Sequence, residues 1–92
     1  MALTLRWTSI ALADLNQAFE FIALDSPGAA QATISRITKS FEQLKIFPDS
    51  GRAGRVKGTR ELFVNTTPYL IVYRARNKYL EILNILHSSR KW

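Results

Sequence analysis

The chain has 92 residues, 47% of them hydrophobic, a formal net charge of +6, no cysteine and one histidine. This length suits one domain over residues 1–92, and the residue types exclude disulfides, thiolate metal sites and a histidine-based metal centre within the chain. No apolar run approaches the ~20 residues of a bilayer span, and Met1–Trp7 lacks a basic segment followed by an apolar one, so we expect neither a membrane segment nor a signal peptide.

Leu3, Leu5 and Trp7 alternate with Thr4 and Arg6, which reads as a short strand with one buried face. Thr8 or Ser9 can cap the helix that follows. Leu12, Leu15, Phe19 and Ile22 are spaced by three, four and three residues, as one apolar stripe on that helix. Asp25-Ser26-Pro27-Gly28 breaks it, with Ser26 as the next N-cap and Pro27 where a missing N–H costs nothing. A second helix is expected from Pro27 to about Phe47, with the stripe Ala30, Ile34, Ile37, Phe41 and Leu44. Two stripes of one period across a tight break predict an antiparallel αα-hairpin, and core packing accounts for all of these residues.

Phe47-Pro48-Asp49-Ser50-Gly51 ends the second helix. A Gly-rich basic segment, Gly51–Arg60, comes next, and a charge step falls there. Residues 1–50 have a formal charge of −1 and residues 51–92 one of +7. A field of this sign points to a polyanion or an acidic partner; a merely solvated basic face is the alternative. Three strands then follow: Glu61–Val64, Tyr69–Ala75 and Tyr79–His87, joined by the turn Asn65–Pro68 and the connection Arg76-Asn77-Lys78. The expected fold class is α+β: an N-terminal strand, an αα-hairpin, then a three-stranded antiparallel meander, with the helix pair packed on one face of a small curved sheet. The basic side chains would line the other face or its rim.

Residues along the whole chain resemble the RelE/ParE superfamily of toxins from bacterial type II toxin–antitoxin (plasmid stabilisation) modules. The resemblance rests on Trp7 with Asp14-Leu15, on Phe47-Pro48 before Gly51-Arg52, and on Gly54-Arg55-Val56 with Gly58-Thr59-Arg60-Glu61-Leu62. It continues through Pro68-Tyr69 and Val72-Tyr73-Arg74 to Ile85-Leu86-His87, Arg90 and Trp92. It implies a cytoplasmic protein that arrests growth, needs no cofactor or metal, and is neutralised by a cognate antitoxin, with which it could form a hetero-oligomer. It also implies one of two mechanisms. RelE-like members cut mRNA in the ribosomal A site, whereas ParE-like members poison DNA gyrase.

Metal-free RNA cleavage needs a base, an acid and a cation for the phosphorane. His87 alone has an unperturbed pKa near neutrality, so His87 with Arg90 would be the catalytic pair if the chain is a nuclease. A structural histidine at a strand end is the plainer reading. Compared with RelE-like nucleases, Leu62-Phe63-Val64 lacks the usual arginine and Leu70 replaces a second one. Ser88-Ser89 replaces a basic pair, and Trp92 replaces a tyrosine. These departures favour the ParE-like reading, a toxin that binds its target. Its binding residues would be Arg52, Arg55, Lys57, Arg60 and Arg74, with a structured helix-to-sheet turn as the alternative role for the segment.

Overall fold

A computed structural model of the chain describes residues 2–88. Strand β1 (Thr4–Trp7) leads into helices α1 (Ser9–Ala23) and α2 (Pro27–Ile46). A 3-10 turn (Pro48–Ser50) follows, then β2 (Arg52–Ala53), β3 (Arg60–Phe63), β4 (Tyr69–Arg76) and β5 (Tyr79–His87). The strands form one sheet in the order β1-β5-β4-β3-β2. β1 runs parallel to β5, and every other pairing is antiparallel.

Local chemistry explains the boundaries. Thr8 caps α1 by accepting from the Ala11 N–H, and Ser26 caps α2 by accepting from the Ala29 N–H. Pro27 occupies the first position of α2. The β4–β5 hairpin turns through Asn77 and Lys78, both at positive φ (52° and 69°), as a two-residue turn of right-twisted strands requires.

The αα-hairpin covers one face of the sheet. Ala11, Ala18, Ile37, Phe41 and Leu44 pack on Tyr69, Ile71, Tyr73, Leu80, Ile82 and Ile85. Trp7 meets Phe41 edge to face at 5.0 Å. All five stripe residues expected on α2 are buried or half-buried. On α1 the stripe is rotated. Leu12 is 48% and Phe19 38% exposed, while Ala11 and Ala18 are buried with Leu15 and Ile22 beside them. Close approach of α1 to the sheet selects the small alanines, so side-chain size misleads there. Three strand details also differ from expectation. β2 is an added two-residue strand, β3 lies one residue earlier, and the β4–β5 connection is one residue shorter. β5 contains a bulge: Val72 pairs with Asn84 and Tyr73 with Ile82, which leaves Leu83 as the extra residue.

Candidate functional site

Alternation along the strands assigns each charged residue to a face of the sheet. Ile71 and Tyr73 face the helices, so Val72, paired with Glu61 and Asn84, faces away. By the same register the pairs Phe63–Leu70, Leu70–Leu86, Arg74–Glu81 and Arg52–Glu61 share the side away from the helices. We call this the outer face. Arg60 pairs with Tyr73 and Tyr69 with His87, so Arg60 and His87 belong to the helix side.

This assignment divides the residues singled out in the sequence. Arg52 and Arg74 are on the outer face. Arg60 is on the helix side, where it donates to the Gly51 carbonyl at 2.8 Å and pairs with Asp49 at 3.4 Å. Arg55 and Lys57 are exposed in the loop between β2 and β3. His87 packs edge to face on Tyr69, with centroids 5.4 Å apart. It lines a pocket of about 170 Å³ with Asp14, Gln17, Phe21 and Ile85. The one imidazole of the chain is therefore across the sheet from Arg52 and Arg74. Arg90 and Trp92 lie outside the described residues.

The basic loop is built around Glu61. This carboxylate is 1% exposed; it accepts from the Arg55 backbone N–H at 3.1 Å and from Arg52 Nη2 at 3.1 Å. Burial pushes its pKa up, but the Arg55 N–H and the Arg52 guanidinium outweigh that, and the net shift is downward. Across the loop the Gly54 N–H donates to the Thr59 carbonyl, and Gly58 takes φ of 84°. A Cβ at Gly54 would lie 3.0 Å from the Thr59 backbone, so the two sides of the loop approach as only glycine permits. Arg52 is thus partly committed to holding the loop, and its guanidinium also lies 5.2 Å from the Phe63 ring centroid.

A second cluster occupies the far end of the outer face, and only its Arg74 was anticipated. Glu81 accepts from Arg74 Nε at 2.6 Å, with Arg6 and Arg76 each 3.8 Å away. The bond from Arg74 is the main cause of the lowered Glu81 pKa. The Arg6 guanidinium stacks 3.7 Å over the Tyr79 ring. A carboxylate inside the apolar run Leu80–Ile85 is the sequence signal for this cluster, because a buried charge needs partners.

Two polar links hold the frame. The Tyr73 hydroxyl donates to the Pro48 carbonyl at 2.7 Å and accepts from the Gly51 N–H at 2.9 Å. Its burial raises its pKa, so it stays protonated. Asp14 on α1 accepts from the Ile85 N–H at 2.9 Å and from Asn84 Nδ2 at 3.3 Å. Thr8 Oγ1 reaches the carbonyls of Ile82 and Leu83. α1 thereby satisfies the edge of β5 where β1 ends. Among the described residues no cluster of acidic or histidine side chains could hold a metal, and no helix is long and apolar enough to cross a membrane.

Comparison with known proteins agrees with this architecture. A Sinorhizobium fredii protein named "Putative toxin Y4kP" is 40% identical over 96% of this chain and 91% of its own length. The Caulobacter vibrioides protein "Toxin RelE2" is 36% identical over 91% of this chain and 93% of its own. A solved chain from the chromosomal ParDE system of P. aeruginosa superposes with a TM-score of 0.84 at 27% identity, covering 94% of this chain and 96% of that one. A chain of the RelBE2 complex of Mycobacterium tuberculosis shares the fold, with a TM-score of 0.63 at 23% identity over 95% of this chain and 99% of its own. The family described as the ParE toxin of the type II toxin–antitoxin system parDE matches residues 5–92, and the chain belongs to it.

Proposed function

We propose that this toxin arrests growth by binding and inhibiting a protein target, with DNA gyrase as the first to test, and that a cognate antitoxin neutralises it. The observation that carries the reading is the separation of His87 from Arg52 and Arg74 by the thickness of the sheet. A metal-free ribonuclease must bring its proton-transfer group and its phosphate clamp to one phosphodiester. The middle of the outer face supports the same reading, because Phe63, Leu70 and Leu86 share it and none is basic. Phe63, the exposed member of that strip, offers a binding toxin apolar contact as readily as charge. The ParDE origin of the P. aeruginosa neighbour supports an antitoxin partner. So do the exposed Ile10, Leu12, Phe21 and Leu24 on and just after α1, an apolar surface that a folding-on-binding segment can cover.

The test is purified chain in a gyrase supercoiling assay, beside cell-free translation with mRNA ends mapped. Gyrase inhibition with intact mRNA is expected. Codon-spaced mRNA cuts without gyrase inhibition would overturn the proposal in favour of a RelE-like endonuclease. His87→Ala is expected to leave growth arrest intact, whereas Arg55→Ala/Lys57→Ala weakens it. Both variants keep the Arg52–Glu61 pair, so circular dichroism should report native folding.

A further inference from the structure

We infer that the Arg6–Arg74–Arg76 cluster is a second interaction site, one that binds the phosphate backbone of a nucleic acid. Three guanidiniums surround one carboxylate, Glu81, so the cluster carries excess positive charge. Lys78 in the adjoining turn adds another cation and is exposed. Glu81 is only 8% exposed and holds Arg74 by Nε, which leaves the terminal nitrogens of that guanidinium to donate elsewhere. Arg6 is stacked on Tyr79, a geometry that fixes the guanidinium plane while its in-plane N–H groups remain available. The side chains of Arg6 and Arg76 are more than half exposed. A preorganised array of exposed guanidiniums matches phosphate oxygens.

The surroundings decide between nucleic acid and protein. A protein interface needs an apolar centre. Among the described residues the exposed large apolar ones are Ile10, Leu12, Phe19, Phe21, Leu24, Ile46, Phe47, Val56 and Phe63, and none belongs to the β4–β5 hairpin end or to β1. The exposed residues around the cluster are instead Ala75, Asn77 and Lys78. Backbone recognition in nucleic acids is dominated by charge and needs no such centre. This site is independent of how the toxin acts on its target.

The experiment is fluorescence anisotropy of the full chain with a labelled DNA duplex and with a labelled single-stranded RNA, each titrated at several salt concentrations. The comparison is between Arg6→Ala/Arg76→Ala and a control, Arg36→Ala/Lys39→Ala, which removes equal charge from the exposed side of α2. The cluster variant is expected to bind about tenfold more weakly at low salt and to lose about 1.8 from the log–log salt slope on duplex DNA, or about 1.4 on the single strand. The arm with the larger fold-loss in affinity identifies the nucleic acid. Equal weakening by the control would overturn the site, since net charge alone would then explain binding. No binding in either arm would overturn it too. Tighter, cluster-dependent binding to a poly-glutamate peptide would reassign the surface to an acidic protein.

Discussion

The Tyr73 hydroxyl joins the end of α2, the start of β2 and the centre of the sheet. Removing it leaves a buried N–H and a carbonyl unpaired, each worth about 1–3 kcal/mol. Tyr73→Phe is therefore expected to lose about 2–6 kcal/mol in urea unfolding, with the helices still formed by circular dichroism. Gly51 belongs to the same contact, because a Cβ there would lie 2.6 Å from the Tyr73 hydroxyl oxygen and 2.8 Å from the Glu61 carbonyl oxygen. Glu61 sets an acid limit on stability. Its folded pKa lies below the ordinary 4.5, so the unfolded chain binds the proton more readily. The stabilisation is complete above that value and disappears as pH falls through the folded one. Thermal melts from pH 7 to pH 3 should show Tm falling below about pH 4.5, and Glu61→Gln should flatten that fall while lowering Tm at pH 7.

At the scale of elements, the tether from α1 to β5 has a measurable consequence. Asp14→Ala removes the acceptor of the Ile85 N–H, and hydrogen exchange at that amide should quicken while amides of β4 stay protected. The loss in stability should be about 1–3 kcal/mol. α2 was readable in the sequence because Ser26, Pro27 and the stripe all indicate one boundary and one buried side. α1 was less so, since Leu12 and Phe19 outweigh Ala11 and Ala18 in any hydrophobic pattern although the alanines touch the sheet. β2 spans two residues, too few for a periodic signal, and the bulge at Leu83 depends on strand pairing. The basic loop was visible as composition. Its division between two faces was not, because facing follows from register, and the register of β2 and β3 is a long-range property.

Over the whole molecule, the charge step becomes an arrangement of buried carboxylates under exposed arginines. Glu61 and Glu81 are the only acids in residues 51–92, and both are buried on the outer face with arginine partners. The opposite face depends on a single apolar core, in which Phe41 is 1% exposed against Trp7. Phe41→Asp would bury an unpaired charge there and should abolish the cooperative melt; a soluble variant with a native spectrum would refute the core assignment.

The pairing of β1 with β5 also constrains when the toxin can exist. Among the described residues β1 has no other neighbour in the sheet, and its partner residues, Tyr79–Ile82, belong to the last strand, β5. During synthesis the first strand must wait, edge exposed, until the last strand has left the ribosome. The αα-hairpin, whose contacts are local, can form earlier. Nascent chains that stop before β5 should therefore be sensitive to protease and non-toxic, with compact structure appearing only once β5 has emerged. Translation itself thus withholds the weapon until β5 has been made.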